Sequence, residues 1–185
     1  IKVVLFNNRI YGLTKGQYSP TSEKGKVTKT TPFGSVDYPF NPVSLALGSD
    51  ATFVARSIDR NPKHMQEMIK RSGAHKGLAF LEIFQNCNIF NDGAFSILTE
   101  KDTKDDHTLF LEHNKPMVFG KNQDKGIKLD GLKPVAVDIS NGKYSKDDLW
   151  VHDEFADTPI NAMILAHMDE RPGFPTPIGV FRQYF

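Results

Sequence analysis

The stretch Ile1-Lys2-Val3-Val4-Leu5-Phe6-Asn7-Asn8-Arg9-Ile10-Tyr11-Gly12 decides how the rest of the chain is read. A nearly continuous apolar run ends abruptly in two amides and a glycine-containing polar turn. Runs without polar alternation are what a parallel-sheet strand shows when both of its faces are covered. Two more such runs, residues 51–58 and 78–84, follow at spacings that leave room for helices. Asn41-Pro42 and Asn61-Pro62 each put an amide acceptor before a proline, the arrangement of a helix N-cap followed by its first residue. Met65, Met68 and Ile69 sit at helical spacing after the second of these, and Gly73 or Gly77 is placed to end that helix. Strand, helix, strand, helix, strand predicts an α/β fold with an open parallel sheet and right-handed crossovers. Residues 1–6 are expected to be a buried strand.

Working outward, the pattern changes near Gly93. Residues 1–95 hold 12 Lys and Arg against 7 Asp and Glu, whereas residues 96–185 hold 11 against 15. A division into residues 1–95 and a C-terminal extension, 96–185, is expected. In the extension, short strands are predicted at 108–112, 116–119 and 134–138, with turns at 122–126 and at Asp130-Gly131. Ser145 with Asp148 resembles a helix start. A last helix is predicted over 160–168, followed by a proline-rich stop and an extended tail at 178–185.

Composition excludes several function classes. The 185 residues amount to about one domain. Hydrophobic residues make up 39% and charged residues 24%, which argues against bulk disorder. The formal net charge of +1 provides no polybasic field, so neither nucleic acid nor a membrane surface is expected as a partner. No apolar run approaches the length of a membrane span. A single cysteine, Cys87, makes neither an internal disulfide nor a complete metal site. A reducing, cytoplasmic setting is the default expectation. The start is too short for a signal peptide and lacks Met, which suggests a fragment of a longer polypeptide.

The long polar segment 7–40 follows a strand's C-terminal end, where open α/β sheets bind ligands. The amide oxygen of Asn8 is a hard, neutral donor suited to Mg2+. The backbone carbonyl of Ile10 can point the same way, two residues on. Thr14-Lys15-Gly16-Gln17 adds a hydroxyl, backbone N–H groups and a cation, so a magnesium diphosphate is one possible occupant. A plain Asn-Asn-Gly turn fits the same residues. Cys87 is equally readable as a small buried hydrophobe.

The run Asn7-Asn8-Arg9-Ile10-Tyr11-Gly12-Leu13-Thr14-Lys15-Gly16-Gln17-Tyr18-Ser19-Pro20 resembles the thiamine-diphosphate loop of the β subunits of 2-oxoacid:ferredoxin oxidoreductases. Thr31-Pro32-Phe33-Gly34, Ala74-His75-Lys76-Gly77 and Glu82-Ile83-Phe84-Gln85-Asn86-Cys87 follow in the family's order. Within the family the chain is most similar to the 2-oxoglutarate branch. The resemblance implies a pyrophosphate-module sheet that binds thiamine diphosphate and Mg2+. It implies that Asn8 and Ile10 are metal ligands, that Leu13 and Thr14 lie against the cofactor, and that Cys87 is one ligand of a [4Fe–4S] cluster. It implies oxidative decarboxylation of a 2-oxoacid to an acyl-coenzyme A, with electrons passed to ferredoxin and an α subunit as partner. The family's Gly-Asp-Gly motif, source of the anionic metal ligand, is expected before Ile1. This stretch alone is therefore expected to bind no cofactor and to be inactive. A non-catalytic subunit-interaction module of the same fold is the alternative.

Other signals carry less. The histidines show neither a Cys–His catalytic pattern nor zinc-ligand spacing. Lys24, Lys26 and Lys29 read as a solvated basic loop, and Asp102, Asp105 and Asp106 as a solvated turn.

Overall fold

The structure is a computed structural model that describes residues 1–184. Three parallel strands form first: β1 (Lys2–Asn7), β2 (Phe53–Ile58) and β3 (Ala79–Phe84). Helix α1 (Pro42–Gly48) precedes β2, and α2 (Pro62–Ala74) joins β2 to β3. Both helices start as the sequence predicts. The Asn41 side chain accepts the Ser44 N–H at 3.0 Å, and that of Asn61 accepts the His64 N–H at 3.3 Å. Each cap satisfies a backbone donor that the helix cannot, worth about 1 kcal/mol.

The remaining elements are α3 (Ser96–Thr99), α4 (Lys104–His107), β4 (Thr108–Leu111), β5 (Val118–Phe119), β6 (Lys125–Asp130), β7 (Lys133–Asp138), a single 3-10 turn (Lys146–Asp148) that opens on the expected Ser145–Asp148 capping box, α5 (Ile160–Ala166) and β8 (Thr176–Gln183). The main sheet has the order β1-β3-β2-β8-β4. The last strand, β8, runs antiparallel to β2 and parallel to β4, so the sheet is mixed rather than wholly parallel. Strands β5, β6 and β7 form a separate antiparallel sheet. Residues 96–185 thus contribute two of the five strands of the main sheet. Val43, Leu47, Val54, Leu109, Leu165 and Phe181 build the core on one side. Phe53, Leu81, Ile83, Met68 and Val180 build the other.

Three sequence expectations need correcting. Residues 1–6 do not form a buried strand: β1 pairs only with β3, at the sheet edge, and Val3, Val4 and Phe6 are 40%, 42% and 58% exposed. The apolar run reports the surroundings a strand is built for, and within residues 1–184 only one edge of β1 is met. The turn expected at 122–126 runs into β6. Gly126 lies inside that strand, where an added Cβ would fall 2.4 Å from Leu149 Cδ1. The glycine makes room for a packed leucine instead of turning the chain. The last helix also ends at Ala166, two residues short of its expected extent.

Gly179 in β8 has φ +131°, and a Cβ there would meet the Leu111 carbonyl oxygen at 2.9 Å. Backbone conflict and positive φ combine, so Gly179→Ala is expected to lower the unfolding free energy by about 2–3 kcal/mol in urea denaturation. His152 is 2% exposed, and its Nε2 lies 2.8 Å from the Val180 carbonyl. Burial holds its pKa below the ordinary histidine value, and burial acts in the same direction on His64 and His75. The unfolded chain therefore binds more protons than the folded one. Stability is complete above about pH 6.5 and falls as the pH drops below it. His152→Gln, which keeps a donor but does not titrate, is expected to flatten this acid limb in pH-resolved thermal melts.

Candidate functional site

The site grows from the C-terminal end of β1. Asn7 is 5% exposed, and its amide makes three hydrogen bonds. Nδ2 donates to Glu82 Oε1 at 2.8 Å, while Oδ1 accepts from the Arg9 N–H at 3.1 Å and the Thr21 hydroxyl at 2.7 Å. This pulls the backbone into a tight reversal in which Arg9 takes a left-handed φ of +54°. The Asn8 side-chain oxygen accepts the Ile10 N–H at 3.2 Å. The Asn8 carbonyl accepts from Asn91 Nδ2 at 2.9 Å, and the Arg9 carbonyl accepts the Ser22 hydroxyl at 2.5 Å.

Ile10 differs from its neighbours. Its side chain is buried, yet among the described residues no donor reaches its carbonyl. Asn8 and Ile10 therefore present one side-chain oxygen and one main-chain oxygen from the same turn. These neutral, hard donors suit part of a Mg2+ shell, the remaining positions being left to phosphate, water or a carboxylate. The turn continues through Tyr11, whose N–H donates to the Gln17 carbonyl at 2.8 Å. Thr14 donates its hydroxyl to the Tyr11 carbonyl at 3.3 Å, and Leu13 is 99% exposed. Farther along the segment, Gly25 donates to Ser35 and Phe40 to Pro20, so residues 7–40 fold against themselves.

Behind the turn lies a buried charged network that the sequence reading missed. Arg56 on β2 and Glu82 on β3 are 3% and 1% exposed and stand directly opposite in the parallel register. Arg56 Nε donates to Glu82 Oε2 at 2.7 Å, and Nη1 lies 3.3 Å from Asp169 Oδ2 and 3.4 Å from the Pro177 carbonyl. Burial disfavours the Arg56 charge, but Glu82 and Asp169 together outweigh it and keep the group above its ordinary pKa. Burial pushes the Asp169 carboxyl up, with Arg56 opposing. The Arg9 guanidinium stacks 4.7 Å from the Phe95 ring centroid and 5.5 Å from that of Phe84, and burial lowers its pKa. A signal for this network was present. A charge in the middle of an apolar strand run, as at Arg56 and Glu82, has no route to water and needs a partner.

These groups line a cavity of about 470 Å3. It adjoins a cleft of about 640 Å3 lined by Asn8, Ile10, Leu13 and the apolar side chains of Val3, Leu5 and Leu45. Asn7, Thr21 and Phe40 border both. The basic loop is less free than expected: Lys26 bonds Glu23 at 3.0 Å and Asn91 at 2.5 Å, and Lys24 lies 4.1 Å from the Tyr38 ring.

Cys87 lies on the loop after β3 as a partly exposed free thiol. Its carbonyl accepts the Asn91 N–H at 3.0 Å, so Asn91 ties this loop to the turn at Asn8. Among the described residues no group of three or more His, Cys, Asp or Glu side chains is arranged to hold a metal. One thiolate does not complete a four-thiolate cluster, so these residues do not by themselves fit an iron–sulfur centre. Nor is any helix among them long and apolar enough to cross a membrane.

A family profile described as thiamine pyrophosphate enzyme, C-terminal TPP binding domain, matches residues 1–83. The chain is 45% identical to the 2-oxoglutarate oxidoreductase subunit KorB of Mycobacterium tuberculosis, over 98% of this chain and 48% of that protein. It is 37% identical to the 2-oxoglutarate synthase subunit KorB of Methanocaldococcus jannaschii, over 77% of this chain and 47% of that protein. Its fold is similar to that of the 2-oxoglutarate:ferredoxin oxidoreductase from Magnetococcus marinus, solved with 2-oxoglutarate, coenzyme A and succinyl-CoA bound. The TM-score is 0.63 at 28% identity, over 97% of this chain and 46% of that one. The chain spans about half the length of these relatives. With 45% identity over nearly its whole length, the chain is a relative of the 2-oxoacid:ferredoxin oxidoreductase β subunits.

Proposed function

We propose that this chain forms the diphosphate-binding part of a subunit that oxidatively decarboxylates a 2-oxoacid, 2-oxoglutarate above others, to an acyl-coenzyme A. Its electrons pass to ferredoxin, and an α subunit completes the enzyme. The observation that carries this reading is the turn after β1, where the Asn8 side-chain oxygen accepts the Ile10 N–H and the Ile10 carbonyl, two residues on, meets no donor among the described residues. The names of the relatives support the choice of substrate.

In this reading Asn8 and Ile10 hold Mg2+, and the metal holds the diphosphate of thiamine diphosphate. Two neutral donors leave the dication's charge for the diphosphate and for a carboxylate outside residues 1–185. When bound, thiamine diphosphate supplies the carbon nucleophile and the electron sink that decarboxylation requires. The residues of this chain bind and orient. Asn7 fixes the turn, the exposed Leu13 borders the cofactor, Thr14 braces the loop through the Tyr11 carbonyl, and the apolar wall of Val3, Leu5 and Leu45 limits water around the cleft. Cys87 is one of four thiolates of a [4Fe–4S] cluster in the intact subunit, the other three lying outside this chain. Asn91 holds the Cys87 loop against the turn at Asn8.

In the intact enzyme, Asn8→Ala is expected to weaken Mg2+–thiamine diphosphate binding by more than the roughly 10–100-fold that loss of an outer-shell partner costs. Calorimetric titration measures this, and unchanged affinity would remove Asn8 as a ligand and favour an interaction module without cofactor. Residues 1–185 expressed alone are expected to release no carbon dioxide from 2-oxoglutarate. Detectable turnover would contradict a metal site shared with residues beyond this chain.

A further inference from the structure

Glu82 is a fully buried carboxylate in the middle of β3, between the fully buried Leu81 and Ile83. A strand in this position can be apolar throughout. Replacing buried ion pairs with well-packed apolar residues often leaves stability unchanged or improved, so stability alone does not account for the charge. Its geometry suggests another role. The two carboxylate oxygens serve different strands: Oε1 accepts from Asn7 on β1 and Oε2 from Arg56 on β2. The strand register permits this. Glu82 is level with Leu5 on one side and Arg56 on the other, and Asn7 lies two residues beyond Leu5, on the same face.

The orientation of Asn7 follows. An acceptor-only carboxylate admits only the NH2 side of the amide, so the oxygen side must face the turn. There it receives the Arg9 N–H and the Thr21 hydroxyl, the two bonds that curl residues 7–10. A flipped Asn7 would set oxygen against carboxylate and an NH2 group against two donors. Arg56 in turn donates to the other oxygen of Glu82 and extends the chain of contacts to Asp169, after α5, and to the Pro177 carbonyl at the start of β8. An unbroken series of side chains, Thr21–Asn7–Glu82–Arg56–Asp169, runs from the cofactor loop to the C-terminal extension.

We infer that Glu82 and Arg56 are positioning residues for the metal-binding turn, acting through the orientation of the Asn7 amide, and that Asp169 makes the C-terminal extension part of the same device. The inference rests on the reading of Asn8 and Ile10 as Mg2+ ligands. Glu82 touches neither metal nor cofactor, and its effect is to hold the two donor oxygens in one place before the cofactor arrives. Outer-shell groups of this kind commonly change metal affinity by about 10–100-fold without being ligands.

The test uses the intact enzyme with both subunits. Glu82→Gln offers one acceptor and one donor where two acceptors are needed. It is expected to weaken Mg2+–thiamine diphosphate binding by about tenfold or more in calorimetric titration. Hydrogen exchange at the Arg9 and Ile10 amides should quicken in the cofactor-free enzyme. Asn7→Ala should cost a similar factor, and the double variant little more than either alone, because both act through one contact. A purely structural role predicts a lower cofactor-free melting temperature with affinity within about twofold of the parent and unchanged exchange at the turn, and that outcome overturns the inference. If Glu82→Gln fails to assemble, Asp169→Asn and Thr21→Val, at the two ends of the series, take its place. Each is expected to weaken binding severalfold, and unchanged affinity in both overturns the inference equally. Asn8→Ala separates the two levels. If it leaves affinity unchanged, the metal reading itself falls. If it abolishes binding while the Glu82, Asp169 and Thr21 variants do not weaken it, only the positioning role falls.

Discussion

The carboxylate of Glu82 is shared between two neighbouring strands, and much of the molecule is arranged around that sharing. It receives the amide of Asn7 from β1 and the guanidinium of Arg56 from β2, all three being buried. A charge in that position is tolerable only because both oxygens are engaged and the counter-charge is near contact distance. Removing one partner of such a pair commonly costs about 3–5 kcal/mol, because the other stays buried and uncompensated. The aromatic rings of Phe84 and Phe181 flank Arg56 and supply its remaining surroundings. The parallel register sets Arg56 level with Glu82 and Asn7 two residues farther along on the same face, so the alignment of strands and the network presuppose each other.

The same network explains why the C-terminal half wraps back onto the first. Strand β8 enters the main sheet beside β2, and Arg56 reaches Asp169 ahead of that strand and the Pro177 carbonyl at its start. Val180 and Phe181 then join the cores on opposite faces of the sheet, as alternation along a strand requires. Parallel β4 pairs on the far side of β8. The α/β core is thus completed by distant sequence, and what reads as an appendage supplies a structural layer.

The signals legible from sequence were local ones. Asn41 and Asn61 cap helices because an amide before proline has few other uses. The runs at 51–58 and 78–84 form buried parallel strands, as their apolar continuity predicts. Asn8 and Ile10 fall together because they are two residues apart in one turn. Long-range features were hidden. Gly126 looks like turn chemistry until Leu149 is found against it, and β1 looks buried until its unpaired edge is seen. The link from Asn91 to Asn8 joins residues 83 positions apart, and no local pattern marks such a pair.

By itself, the sequence determined the class of fold, the starts of α1, α2 and α5 and the family resemblance, since each depends on residue types at short, regular spacing. Only the tertiary structure decided which donors are left open, which charges are buried together and how the chain's end closes the sheet. Hydrogen-bond accounting and desolvation act between groups brought together by folding. The Asn7 amide meets Glu82, 75 residues away, and that pairing is one no local reading marks.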